Sequence, residues 1–272
     1  MPELAEVEFM RRRWVPFLGV TIRAVELRPA ARIFRSGCAA ALQRGLPGAP
    51  LSDSLRSGKR LLLACGPVGW IELHLGMTGE LRVEPDAYPP AKHDHLLLRL
   101  DRCTLVMRDP RMFGSVAWHP GEAPPRGWLD RPPEILDATF SAELLRRILG
   151  RRPRSPLKAL LLRQEYFPGI GNWMADEVLW QARLHPARLA ASLAPGEQRT
   201  LLRALRKVCR GALRTVACGT ADQSHWADPP EGWLFHQRWT NGGHCPATGK
   251  PLHRTTLAGR TTCWSPAIQQ LS

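Results

Sequence analysis

The period of the apolar residues changes once along this chain, and that change confines it to a two-part α+β fold. Up to about residue 120, short apolar runs alternate with turn residues: Arg60-Leu61-Leu62-Leu63-Ala64-Cys65, then Gly66-Pro67, then Trp70-Ile71-Glu72-Leu73-His74-Leu75. A second pair of runs, His95 to Leu100 and Thr104 to Arg108, flanks Asp101-Arg102. Runs of this length around tight turns are the pattern of antiparallel hairpins. They predict a β-sandwich, preceded by a helix over Glu6 to Pro16. Further on the step becomes helical: Leu201, Leu202, Leu205, Val208, Cys209, Leu213 and Val216 recur at intervals of three and four, with Gly219 as a stop. That apolar stripe is a core face, and Arg199, Arg203, Arg206, Lys207, Arg210 and Arg214 on other faces read as a solvated one. Between the two patterns, Pro120 to Pro133 contains Pro124-Pro125 and Pro132-Pro133 and propagates neither helix nor strand well. The expected organisation is a first domain over residues 1–120, a linker over 121–135, a helical domain over 136–233 and a C-terminal hairpin over 234–272.

With 272 residues the chain can bury two cores. Lys and Arg number 38 against 24 Asp and Glu, a formal net charge of +14, which suits a polyanionic partner. Charge of this size permits nucleic-acid binding and does not prove it, since the preference for Arg over Lys also reflects composition at large. No apolar run approaches the roughly 20 residues that span a bilayer, and no charged-then-apolar signal segment opens the chain, so a cytoplasmic protein is expected. The cysteines Cys38, Cys65, Cys103, Cys209, Cys218, Cys245 and Cys263 are odd in number and scattered, unlike a disulfide framework.

Two segments carry chemistry. The chain opens Met1-Pro2-Glu3-Leu4-Ala5-Glu6-Val7-Glu8. With Met1 removed, Pro2 offers a secondary amine, and an N-terminal amine of pKa roughly 7.7 to 8.0 is partly unprotonated near neutrality. Condensed with a sugar C1′, a proline nitrogen gives a permanently charged iminium, an electron sink for loss of a base and later elimination of phosphate. Glu3 and Glu6 are placed for the accompanying proton transfers. On these residues alone, a small second residue in a frayed terminus is the more economical reading. In the second segment, Phe167-Pro168-Gly169-Ile170-Gly171-Asn172, a Gly-rich turn leads into a helix expected to carry the acids Asp176 and Glu177 in its first turn. Helix starts present unpaired N–H groups to anions. The alternative is an ordinary turn with Asn172 as N-cap.

The order of such blocks decides between these readings. Besides the N-terminal segment they are Gly58-Lys59, His74-Leu75-Gly76-Met77-Thr78-Gly79, Lys92-His93-Asp94-His95, Asp109-Pro110-Arg111-Met112-Phe113-Gly114, Gly169-Ile170-Gly171-Asn172, His185-Pro186 and Ala258-Gly259-Arg260. In this arrangement the chain resembles the family of formamidopyrimidine-DNA glycosylase and endonuclease VIII. The resemblance implies an N-terminal β-sandwich flanked by helices, then a helix-two-turn-helix domain with a β-hairpin finger. It also implies a monomeric base-excision enzyme of bacterial type that acts on double-stranded DNA containing damaged bases or abasic sites.

On this resemblance Pro2 is the nucleophile, Glu3 and Glu6 serve proton transfer and site support, and Lys59 contacts phosphate near the lesion. Asn172 and Arg260 fall on phosphate-gripping positions, and DNA contacts are implied at His74 and Lys158. Everting a nucleotide leaves a hole in the stack. Met77, Arg111 and Phe113 fall on the residues that fill it in the formamidopyrimidine branch, which points to oxidised purines. Two departures stand nearby: Ala5, where relatives commonly have Pro, loosens the backbone beside the nucleophile, and Met112 replaces an Arg. The loop Thr220 to Trp233 lies where relatives that recognise 8-oxoguanine carry a lid, and is short and unfamiliar. His225 and Trp226 in it read as locally packed.

Relatives commonly end in a zinc finger with two Cys-x-x-Cys pairs. Here the four ligand positions fall on Cys245, Thr248, Ser265 and Ile268, and a rescue set of His244, Cys245, His253 and Cys263 would need adjacent side chains to converge. The expectation is a zincless finger with no metal or other cofactor, held by apolar packing of Trp239, Leu252, Leu257, Trp264 and Ile268. Two functions remain open at this point: a bifunctional DNA glycosylase and AP lyase, or a non-catalytic member of the same family that binds damaged DNA.

Overall fold

The computed structural model describes residues 2–28, 30–219 and 225–271 and divides into two compact units, residues 1–131 with 216–227, and residues 132–215 with 228–272. In the first unit, helix α1 (Leu4–Trp14) is followed by β1 (Ala24–Leu27), α2 (Ala39–Gly45) and seven strands. These are β2 (Asp53–Ser57), β3 (Arg60–Ala64), β4 (Gly69–His74), β5 (Glu80–Pro85), β6 (Asp94–Arg99), β7 (Cys103–Arg108) and β8 (Ser115–Pro120). They form two antiparallel sheets ordered β1-β6-β7-β5 and β2-β3-β4-β8.

Strand alternation explains the sandwich. Leu61 and Leu63 of β3, Ile71 and Leu73 of β4, and Leu96 and Leu98 of β6 join Leu105 and Met107 of β7 in one buried core, to which α1 adds Phe9, Met10 and Trp14. The unbroken Leu61-Leu62-Leu63 run arises because β3 is covered on both faces: Leu62 and Ala64 form a second cluster with Trp70, against which Leu55 and Trp128 pack. Trp128 belongs to α3 (Arg126–Leu129), a four-residue helix inside the segment expected to be irregular. Pro125 sits just before it, where a missing N–H costs nothing.

Helix α1 also starts earlier than the apolar pattern indicated, at Leu4 instead of Glu6, and ends at Trp14, with Pro16 in a 3-10 turn. The cause is local: the Glu6 carboxylate accepts the Glu3 backbone N–H at 3.1 Å, the return half of a capping box. Ala5 therefore lies in the first helical turn, fully buried.

The second unit contains α4 (Ala142–Arg151), α5 (Leu157–Leu161), α6 (Asn172–Ala182), α7 (Pro195–Thr215) and the hairpin β9 (His253–Leu257) with β10 (Arg260–Trp264). Ser141 caps α4, its hydroxyl accepting from the Leu144 N–H at 3.1 Å. Helix α7 buries Leu201, Leu202, Leu205, Val208 and Cys209 as its period predicts. Gly211 is required on that face, because a Cβ there would meet the Trp233 ring at 2.6 Å.

Candidate active site and nucleic-acid interface

In the first unit, strand register brings the sequence-predicted residues to one end of the sheet β2-β3-β4-β8. Arg60 pairs with His74, and His74 pairs with Ser115. The β2–β3 turn carrying Lys59, the end of β4 and the loop before β8 are thereby neighbours. Pro2, Glu3 and Glu6 open α1, which packs on β2 and β3, and all three are buried. Lys59 is buried too, immediately after Gly58, whose φ of 56° lies in the left-handed region that favours glycine.

Glu8 fixes α1 to that turn, a part the sequence reading left unassigned. Its carboxylate accepts from Arg11 and Arg12 at 2.9 Å and from Arg56 at 3.2 Å, while Arg56 also donates to the Gly58 carbonyl. Burial would raise the Glu8 pKa, but the bonds from Arg11 and Arg12 and the charges of Arg11 and Arg56 outweigh it and hold it at about 2. The spacing Glu8, Arg11, Arg12 in a helix was the available signal.

His74 Nδ1 accepts the Gly76 N–H at 3.0 Å, leaving Nε2–H as a donor. Burial first, then the nearby charges of Arg60 and Lys59, push its pKa below the usual histidine range, so the ring is neutral at pH 7. Met77 on one loop and Arg111 and Phe113 on another are organised by Asp109, whose buried carboxylate accepts from Thr78 Oγ1 at 2.9 Å, the Arg111 N–H at 3.3 Å and the Gly114 N–H at 2.7 Å. The loops interlock so tightly that a Cβ on Gly76 would lie 2.4 Å from Gly114 N. Phe113 stands 49 % exposed, and the Arg111 guanidinium lies over its ring at 4.7 Å. Such a planar, half-solvated pair offers a flat surface to solvent. Met112 takes a left-handed conformation, φ 51°, and packs against the core of the unit instead of facing outward as an arginine would.

Of the loop from Thr220 to Trp233, residues 220–224 lie outside the described residues. Trp226 meets Phe9 of α1 edge-on at 6.1 Å, and the Arg12 guanidinium donates to the Ala217 carbonyl. Trp233 packs on Trp173 and Gly211.

In the second unit the turn before α6 takes Gly171, not Asn172, as N-cap, and Asp176 and Glu177 fall beyond the first turn. The Asn172 side chain is used elsewhere: its Nδ2 donates to the Thr261 carbonyl at 2.9 Å, placing it beside the strand that begins with Arg260. That arginine is exposed at the tip of a two-residue turn, Ala258-Gly259, with φ of 50° and 70°. Lys158 contradicts its expected role as a DNA contact. Its side chain is 0 % exposed, with Nζ donating to the Asn172 carbonyl at 2.6 Å and to Asp176 Oδ1 at 2.5 Å. It braces the turn from within. Glu177 is equally enclosed; burial pushes its pKa up to about 7, against bonds from Gln181 and the Phe235 N–H.

The finger core also differs from expectation. Leu234, Cys245, Leu252 and Cys263 are buried together, with Ile268 and Trp180 against them. Trp239 is 54 % exposed and meets Phe235 edge-on, while Trp264 meets His185 and His253. The four ligand positions hold one thiol, two neutral hydroxyls and a hydrocarbon, and do not fit a tetrahedral zinc. Among the described residues no group of three or more His, Cys, Asp or Glu could hold a metal, the alternative His and Cys set included.

Residues 1–116 match the model of the formamidopyrimidine-DNA glycosylase N-terminal domain, and residues 132–224 match that of its H2TH domain. The chain is 40% identical over 280 residues to the formamidopyrimidine-DNA glycosylase of Thermus thermophilus, covering 99% of this chain and 98% of that one. It is 37% identical over 279 residues to that of Laribacter hongkongensis, covering 99% of this chain and all of the other. Among solved structures, Lactococcus lactis Fpg bound to DNA containing an abasic site superposes with a TM-score of 0.87 at 26% identity, over 98% of this chain and 99% of that one.

Proposed function

The chain belongs to the formamidopyrimidine-DNA glycosylase family, and we propose on that footing that the Pro2 amine is its nucleophile. It is a base-excision repair glycosylase with AP lyase activity on duplex DNA containing damaged bases or abasic sites. The observation that carries the mechanism is the start of α1, where Pro2 leads directly into a helix whose first residues bring two buried carboxylates, Glu3 and Glu6, beside it. Once Met1 is removed, the Pro2 nitrogen attacks C1′, the bond to the base breaks as the base takes up a proton, and the nitrogen loses its own; the C1′–O4′ bond then opens, with Glu3 protonating the ring oxygen, to leave an iminium. The resulting iminium draws electrons from C2′, so loss of a C2′ proton expels the 3′ phosphate. Glu6 holds the Glu3 backbone in place through its bond to that N–H.

Lys59, the Nε2–H of His74, Asn172 and Arg260 supply the phosphate contacts, which position a duplex without reading its sequence. Met77, Arg111 and Phe113 fill the gap left by an everted nucleotide. The lesions are oxidised purines, and the finger works without zinc, because its donor set cannot complete a metal's coordination. Among the described residues no helix is long and apolar enough to cross a membrane; the protein acts as a cytoplasmic enzyme on nucleoid DNA.

Borohydride trapping on abasic-site duplex tests the nucleophile. Protein shown by intact mass to lack Met1 gives a covalent complex, and Pro2→Gly loses about 100-fold or more of the trapping rate. Equal trapping by the variant would refute the proline mechanism.

A further inference from the structure

Asn172, Asp176 and Trp180 are spaced four apart on α6 and therefore lie on one face of that helix. Each bonds a different part of the finger. Asn172 Nδ2 donates to the Thr261 carbonyl at 2.9 Å, Asp176 Oδ2 accepts the Cys263 N–H at 3.1 Å, and Trp180 Nε1 donates to the Cys245 sulfur at 3.3 Å. Asp176 is more than one link. Its buried carboxylate also receives Lys158 from α5 and, at 2.7 Å, the Arg238 guanidinium from the segment leading into the finger.

The sulfur end is equally specific. Two of the four ligand positions carry hydroxyls near Cys245, Thr248 and Ser265, and the buried Ser265 Oγ has no hydrogen-bond partner. Burial alone would raise this thiol, but these hydroxyls, the Trp180 N–H and the Ala247 N–H outweigh it and pull it down to about 7. Where four thiolates would gather on a metal, one sulfur accepts the Trp180 N–H.

We propose that this stripe on α6 anchors the finger in place of a metal, with Asp176 and Trp180 as positioning residues for Arg260. A zinc ion closes a finger on itself, whereas the stripe fastens it to the helix that begins with Asn172. Because Thr261 follows Arg260 directly, the bond from Asn172 fixes the two phosphate grips relative to each other. This role for Arg260 rests on the proposed function; the anchoring itself does not.

Two variants test it. Trp180→Phe keeps an aromatic side chain but removes the indole N–H together with its five-membered ring, and Asp176→Asn keeps the shape and removes the charge. Without DNA, Trp180→Phe should speed alkylation of Cys245 by iodoacetamide at pH 9.5, where loss of the N–H no longer sets the thiolate fraction, about fivefold, read peptide by peptide, and raise amide exchange across residues 253–264. Asp176→Asn should exceed it, about tenfold or more. Both should weaken binding to a duplex carrying a tetrahydrofuran abasic analogue, and chelator should leave the parent protein unaffected. Adding Thr248→Cys, Ser265→Cys and Ile268→Cys to Trp180→Phe should create a site for one zinc, and zinc should then restore both finger protection and affinity.

Unchanged alkylation and exchange in both variants would overturn the anchor, as would loss of finger protection in the parent protein on chelation. A loosened finger with undiminished affinity would overturn the positioning of Arg260. Failure of the parent protein itself to bind the duplex would count against the proposed function, since alkylation and exchange are read without DNA.

Discussion

Each unit is organised around a buried aspartate, and the two aspartates are satisfied in different ways. Asp109 in the first unit accepts from the N–H groups of Arg111 and Gly114 and from the Thr78 hydroxyl, all neutral donors. Asp176 in the second receives the Cys263 N–H and two buried cations, Lys158 and Arg238. Neutral donors from adjacent loops fold a local turn and cost little to arrange. A carboxylate between two cations joins segments far apart in sequence, at a desolvation cost recovered only when every partner is present. The loops that carry Met77, Arg111 and Phe113 are thus held by local geometry, and the finger by a network that fails as a whole.

The largest effect expected from breaking this contrast is at Asp176. Asp176→Asn leaves two cations buried without their counter-charge, and uncompensated buried charge costs about 3–5 kcal/mol. Calorimetry should show a large drop in Tm, and a loss below about 1 kcal/mol would mean that the cations reach water and the network is not the anchor.

Slightly smaller effects should appear with pH, in opposite directions in the two units. Glu8 has a folded-state pKa of about 2 against 4.5. Its stabilisation is therefore complete above pH 4.5 and lost as pH falls toward 2. Glu177 is raised from 4.5 to about 7, so what it contributes is complete below pH 4.5 and lost as pH rises through 7. Each shift corresponds to roughly 3 kcal/mol. Urea unfolding across pH 2–8 should show Glu8→Gln removing part of the acid-side loss and Glu177→Gln flattening the decline between pH 4.5 and 7. Profiles parallel to the parent protein in both variants would contradict the assignment.

Asp109→Asn should cost less, about 1–3 kcal/mol, since it turns one acceptor oxygen into a donor facing N–H groups without stranding a charge. Peptide-resolved hydrogen exchange should place the loosening in residues 76–79 and 109–114, and a response spread through the sheets would show that Asp109 supports the core instead. This loop pair was largely legible in the sequence. Met77, Arg111 and Phe113 stand in blocks whose spacing survives in the fold, and hairpin alternation located β3, β4, β6 and β7 within about a residue. Lys158 and the stripe on α6 were not legible. Periodicity sorts residues into faces by polarity, and on that rule Lys158, Asp176 and Arg238 all belong in water. Their burial depends on partners 18 and 62 residues away, which no local pattern reports.

The smallest expected effect separates the stripe from the apolar anchoring that composition suggested for the finger. Trp239 looks like a core residue in the sequence, yet it is 54 % exposed, and its main contacts are the Phe235 ring at 5.2 Å and the Arg238 guanidinium at 4.5 Å. Trp239→Ala removes those contacts and leaves Arg238 paired with Asp176, so it should cost only about 0.5–1 kcal/mol, the worth of an exposed cation–π pair. Leu252, at 8 % exposure, lies in the finger core, and Leu252→Ala should cost about 2–5 kcal/mol. Thermal unfolding of the two variants side by side decides the matter. If Trp239→Ala proves as damaging as Leu252→Ala, the tryptophan packs in solution as a core residue, and apolar burial rather than the α6 stripe carries the finger.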